Sequence, residues 1–164
     1  MTWNPSTQEL ARKLQSPFYS KIFFLGKLPL GFFTGLRIQE LTPTKSVVSV
    51  PFKWLNKNPF ESMYFGVQAM AGELATGVLV TAYTKNSTSK ISMLVVDFQA
   101  QFTKKATSTI YFTCLDAEAI HKGVQKTEST GEGVKIITKA TGTTEDGTVV
   151  SEIVVTWSIK AKKQ

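Results

Sequence analysis

Residues 61–85 read ESMYFGVQAMAGELATGVLVTAYTK, and between the two ends only Glu73 is charged. The spacing predicts a helix over about residues 63–84, apolar nearly all round, which must be buried on most of its sides. The run also holds Gln68 and the glycines Gly66, Gly72 and Gly77. A carboxylate at the centre of a bilayer costs roughly 3 kcal/mol or more, so a membrane span is the poorer reading. The better one is a helix enclosed by other parts of the same chain.

The flanking sequence supplies the enclosure. SVVSVPFKW alternates Val48, Val50, Phe52 and Trp54 against Ser49 and Lys53, which predicts a strand. FFTGLRIQEL precedes it as a second strand, with TPTK as the turn between them. After the helix, ISMLVVDFQAQF sets Leu94, Val96, Phe98, Ala100 and Phe102 against Asp97, Gln99 and Gln101. STIYFTCL, GVKIITKATG and TVVSEIVVTWSIK read as three more strands. In the last, Val149, Ile153, Val155, Trp157 and Ile159 share a face. Asp146-Gly147 marks a hairpin turn, and Asp116 is placed to cap a short helix, DAEAIHKGVQK.

Two helices are expected before the first strand. Residues 6–15 carry Leu10 and Leu14 on one face, with Ser6 or Thr7 as the cap. A second helix opens at Pro17 and stops near Pro29-Leu30-Gly31. Residues 21–33 are apolar but contain two lysines and Pro29, and are too short to span a bilayer. This aromatic piece suits a lid, a membrane-surface contact or packing on the domain.

The expected architecture is thus α+β. Six antiparallel strands curve around one long helix in a single domain over residues 1–164, with a helical segment at 1–33 and the core at 34–161. At 164 residues such a core is large enough to be stable.

Composition excludes several functions. One cysteine, Cys114, and one histidine, His121, supply too few ligands for a metal site, and no cofactor is expected. Cys114 lies in an apolar run and reads as core; a Cys/His nucleophile has little support. Nineteen basic against twelve acidic residues give a charge of +7, which favours anionic partners. No nucleic-acid motif or basic helix with interleaved aromatics accompanies that charge. The polar start lacks the pattern of a signal peptide, so a soluble, cytoplasmic chain is expected.

Residues three and four apart share a helix face. Gly66, Ala69, Glu73, Thr76 or Gly77, and Val80 form one stripe, small except for Glu73. The opposite side carries Met63, Val67, Met70, Leu74, Val78 and Leu79, read as filling the sheet. Interior glycines cost about 1 kcal/mol each against alanine, so they need a reason such as close approach of a helix or a ligand. A buried carboxylate without partners is costly or has a raised pKa. Glu73 is either a base or nucleophile, or a structural group at a subunit interface.

NPFESMYFGVQAMAGELATG, together with GKLPLGFFTGLRIQELTPTKSVVSVPF before it, resembles the hotdog-fold acyl-CoA thioesterases. The likeness is greatest to an uncharacterised thioesterase-like branch and covers about residues 17–159. It implies that Glu73 attacks the thioester or activates water. It matches Tyr64, Phe65 and Gly66 to a helix-start His-Gly-Gly, of which only Gly66 survives. It implies oxyanion donors at the Phe65 and Gly66 amides, and makes Asn58 a holder of water or substrate. Gln68 and Thr76 join these as candidate substrate contacts. The implied partner is an acyl-CoA or acyl-carrier-protein thioester, with Lys57, Lys85, Lys90 and Lys104 as candidates for its phosphates. The implied assembly is a homodimer, or a tetramer built from it. The competing reading is a hotdog domain that binds an acyl chain or a partner protein without turnover.

Overall fold

The structure, a computed structural model, describes residues 2–162. Three helices come first: α1 (Pro5–Gln15), α2 (Pro17–Lys27) and α3 (Pro29–Thr34). Strands β1 (Arg37–Leu41) and β2 (Ser46–Val50) follow, then a 3-10 turn (Trp54–Asn56) and the long helix α4 (Phe65–Asn86). The remainder is β3 (Ile91–Phe102), β4 (Ile110–Cys114), α5 (Ala117–Thr130), β5 (Val134–Thr143) and β6 (Val149–Ala161). The six strands form one antiparallel sheet in the order β1-β2-β4-β5-β6-β3, wrapped around α4. By length and composition α4 could cross a membrane, yet most of its apolar stretch is buried inside this fold.

Several boundaries differ from the sequence reading for local reasons. The cap of α1 is Asn4, not Ser6 or Thr7: its Oδ1 accepts from the Thr7 amide at 2.8 Å, and Pro5 takes the first helical position. Pro29 restarts a helix instead of ending the helical segment, because a proline at the first turn gives up no hydrogen bond. Gly35 then closes α3 in the left-handed conformation, with φ +81°. Strand β2 stops at Val50, so Phe52 and Trp54 do not continue it; Pro51 has no amide to pair, and Trp54 turns out to solvent. Asp116 does not cap α5 with its side chain. Its Oδ2 instead accepts from the Lys139 amide of β5 at 2.6 Å.

Three bulges reset the strand alternation, the first leaving Gln39 of β1 as an extra residue. Val95 pairs with Trp157 and Asp97 with Thr156, leaving Val96 as an extra residue. Met93 and Val95 therefore face inward before the bulge, and Phe98, Ala100 and Phe102 after it, while Leu94 points away. Near the other end of the sheet, Gly142 pairs with Ser151 and Thr143 with Val149. The inserted Val150 is buried and Val149 is left exposed, against the expected face.

The sidedness of α4 also differs from expectation. Ser46 Oγ donates to the Ala75 carbonyl at 2.6 Å, so the Ser46, Val48 and Val50 face of β2 meets the helix. Ala71, Ala75, Thr76 and Leu79 are fully buried. Gly72 and Gly77 press on the sheet: a Cβ on Gly72 would lie 2.5 Å from Ile153 Cγ1, and one on Gly77 3.0 Å from Trp157 Cζ2. Met70 and Leu74, expected to fill the sheet, lie on the half-open side with Gly66, Ala69 and Glu73.

Candidate active site

Loop residues 57–64 set the start of α4. Asn58 Oδ1 accepts from the amides of Phe60 at 2.9 Å and Ser62 at 3.2 Å, so the side chain shapes the turn. The Met63 amide donates to the Ala106 carbonyl and the Tyr64 amide to the Asn56 carbonyl, each at 2.8 Å. Asn56 was not singled out from sequence. It is fully buried and donates from Nδ2 to the Thr34 and Pro51 carbonyls, at 2.9 and 2.7 Å, pinning the loop to the end of α3. Buried asparagine in a polar stretch gives no local signal that sets it apart from its neighbours.

With the loop held this way, α4 begins at Phe65. The Phe65 and Gly66 amides lie in its first turn and have no hydrogen-bond acceptor among the described residues. Such first-turn amides are available to a developing negative charge. Tyr64 leans over this turn: a Cβ on Gly66 would meet its ring at 2.7 Å. The Tyr64 and Phe65 rings meet at a tilt of 56° with centroids 4.7 Å apart, and Phe65 meets Phe102 of β3 edge-on at 6.1 Å.

Beside this turn is a cavity of about 490 Å³. Asn58, Phe65 and Gln68 line it together with Phe102, Lys104 and Lys105. Three residues singled out from sequence thus meet at one cavity. Gln68 is only 4% exposed; its Nε2 reaches the Met63 carbonyl at 3.5 Å, and its Oε1 has no partner among the described residues. An orphaned buried acceptor at a cavity wall is suited to a ligand donor or a water. Lys105 Nζ donates to the Phe60 carbonyl at 3.1 Å. Of the candidate phosphate lysines, Lys104 is at the cavity, whereas Lys57 lies over the Phe52 ring at 5.2 Å. Phe102 and Lys105 line the cavity without having been expected there, because the end of β3 and the loop after it look like an ordinary strand end in sequence.

Glu73 sits two turns further along α4. It makes no ion pair or side-chain hydrogen bond among the described residues, and burial pushes its carboxyl above the usual value of 4.5. Its Oε1 lies 3.4 Å from where a Cβ of Gly77 would be, a point that Trp157 Cζ2 approaches to 3.0 Å. Thr76 is fully buried. Its Oγ1 donates to the Glu73 carbonyl at 2.9 Å and accepts from Trp157 Nε1 at 3.1 Å, fixing the backbone that carries Glu73. Burial also pushes the Cys114 thiol up to about 12, in keeping with a core residue.

Residues 21–159 match the family described as a domain of unknown function, DUF4442. Among solved structures, the chain is similar to PA5026 of Pseudomonas aeruginosa, a protein of unknown function described as a probable thioesterase. They share 22% identity and a TM-score of 0.73, over 92% of this chain and 99% of that one. It is also similar to a Chlorobaculum tepidum protein of unknown function, OLEI01261, at 16% identity and TM-score 0.74, covering 91% and 99%. The Haemophilus influenzae thioesterase HI1161 aligns at 13% identity and TM-score 0.65, covering 98% and 96%. No curated protein matches the sequence. At these identities the likeness establishes the fold, which is the hotdog fold.

Proposed function

The chain belongs to the DUF4442 family, and we propose that this member hydrolyses thioesters with Glu73 as the reacting carboxylate. The observation that carries the reading is Glu73 itself: a carboxyl with no side-chain partner among the described residues, half-buried on the half-open side of the central helix. Thioesterases among the fold's members make this chemistry the natural one for the site. A carboxyl with a raised pKa is a better base near neutral pH than an ordinary one.

In the proposed reaction the Glu73 carboxylate takes a proton from water, and the resulting hydroxide attacks the thioester carbonyl carbon. The carbonyl oxygen becomes an oxyanion held by the free Phe65 and Gly66 amides. The C–S bond then breaks, and the leaving thiolate takes the proton back from Glu73. The alternative is direct attack by the carboxylate, followed by hydrolysis of the acyl-enzyme.

Gly66 and Glu73 are seven residues apart, roughly 10 Å along one helix. A reacting carbonyl must lie about 3 Å from its donors and close to its attacker. We therefore infer a homodimer in which Glu73 of one copy works with the first-turn amides of another. The half-open face with Gly66, Ala69 and Glu73 suits such a contact, as does the unpaired outer edge of β3, where Leu94 and Val96 are exposed. Acyl-CoA or an acyl-carrier-protein thioester is the inferred substrate, with Lys104 near the entrance to meet phosphate.

The test is thiol release from short, medium, long and aromatic acyl-CoAs by the wild type and Glu73→Gln. Turnover that falls to background in a folded variant supports the reading; turnover indifferent to the change overturns it. The second reading, acyl binding without turnover, is favoured by the Tyr64 ring that overhangs the Gly66 turn. Calorimetric binding of acyl-CoA with no thiol release would select it.

A further inference from the structure

On the other side of the sheet is a larger cavity, about 770 Å³, which the proposed hydrolysis does not use. That volume falls within the roughly 300–1,000 Å³ of small-molecule sites. Its floor is set by strand register. Arg37 of β1 pairs with Ser49 of β2, and Ser49 pairs with Tyr111 of β4. Because Ser46, Val48 and Val50 face α4, Ser49 and its cross-strand neighbours face the opposite way. Helices α2 and α3 supply the other wall, with Ser20, Phe24, Phe32 and Phe33.

Two features point to a ligand. The first is charge. Lys21, Arg37 and Lys53 line the cavity, no Asp or Glu does, and none of the three is in an ion pair among the described residues. The Lys53 ammonium lies 3.2 Å from where a Cβ on Gly35 would sit, so it is held at the turn that leads into Arg37. The second is an orphaned group. Ser20 is 5% exposed, lines the cavity, and its hydroxyl has no hydrogen-bond partner among the described residues. Buried hydroxyls without partners are uncommon, and a ligand atom is one way to satisfy them.

Three cations and no carboxylate around one concavity give it a positive potential that favours an anion, and the phenylalanines of the helical wall offer contact to an apolar body. We propose that this cavity binds a single-headed anionic amphiphile of the fatty-acid class. Its carboxylate meets Arg37 and Lys53, and its tail runs along Phe24, Phe32 and Phe33 of the helical wall. Arg37 serves best for the head, because its planar guanidinium matches a carboxylate through two parallel bonds. The site is separate from Glu73, so it stands whether or not the chain is a hydrolase.

The experiment titrates the full chain with cis-parinaric acid, a fluorescent fatty acid, and competes it with dodecanoic acid and with dodecanol. Saturable binding is expected, displaced by the acid but not by the uncharged alcohol. The double variant Arg37→Gln/Lys53→Gln, which alters no buried residue, should weaken binding about tenfold or more while leaving any thiol release unchanged. A diazirine fatty acid should photolabel peptides of α2 and β2. Absence of saturable binding, equal affinity in the double variant, or labelling confined to α4 peptides would each overturn the proposal. So would capture by anionic vesicles with no affinity for the free acid.

Discussion

Gly72→Ala is the sharpest test of how α4 is seated. Alanine is the better helix former by about 1 kcal/mol, so on propensity alone the variant should be more stable. The sheet argues the reverse. The new methyl would lie 2.5 Å from Ile153 Cγ1 and 2.8 Å from Ile153 Cβ. Carbon atoms ordinarily approach to about 3.5–4.0 Å, so the overlap is roughly 1 Å. Ile153 cannot swing away: it is fully buried on β6, paired to Ala140 on one side and Ala100 on the other. Overpacking of this kind costs about 1–3 kcal/mol, and here the Cβ is nearly part of the backbone, which puts the cost at the upper end. The net expectation is a loss of about 1–2 kcal/mol. Urea unfolding at one protein concentration should show a lower midpoint with an unchanged slope. Gly26→Ala in α2 is the control: no atom lies within 4 Å of its added Cβ, so it should gain up to about 1 kcal/mol. Truncating the obstacle with Ile153→Ala should make Gly72→Ala less harmful than it is in the wild type, a coupling readable from the double-mutant cycle. If Gly72→Ala matches or exceeds the wild type in stability, the close helix–sheet approach is refuted.

Three further outcomes follow from the same contacts. Burial holds the Glu73 pKa above its unfolded value of 4.5, so the folded state binds that proton more tightly. The associated stability is present below pH 4.5 and is lost as pH rises through the folded pKa; Glu73→Gln should therefore gain on the wild type across that rise, in unfolding midpoints measured from pH 4 to 8. Thr76→Val should lose about 1–3 kcal/mol in denaturant melts, because it strands the buried Trp157 Nε1–H, and should lower thiol release by loosening the turn under Glu73. Asn4→Ala should cost about 1 kcal/mol by removing the cap of α1, visible as a lower thermal midpoint without change in turnover.

The central helix, its lone carboxylate and the strands after it were legible in the sequence because each depends on a short-range period. The hidden features depend on partners far along the chain. Nothing local in ISMLVVDFQAQF tells that Val96 is an extra residue; the bulge exists only against Trp157 and Thr156 of β6. The sides of α4 were misjudged in part, at Met70, Leu74, Gly72 and Gly77, for the same reason. Small residues suggested close approach of another helix, but Gly72 and Gly77 are small because Ile153 and Trp157 are large. Helix α3 escaped because Pro29 and Gly31 read as an ending, although a proline is also how a helix begins. At the candidate site, the motif pointed to Glu73 and the first-turn amides, whereas the cavity lining by Phe102 and Lys105 needed the strand and loop to be folded there.

The strand order has a consequence for how the chain can be made. β3 follows α4 directly in sequence, yet its one partner in the sheet is β6, with Ile91 opposite Ala161. On a ribosome, α4 and β3 emerge long before β6 does. Until then the most apolar helix of the chain lacks the strand that carries Ile153, Trp157 and Ile159, and β3 has neither edge satisfied. Domains fold as units during synthesis, and exposed apolar surface in that interval invites aggregation. Nascent chains arrested before β6 should therefore engage holdase chaperones through α4, and release them only once that strand has cleared the exit tunnel.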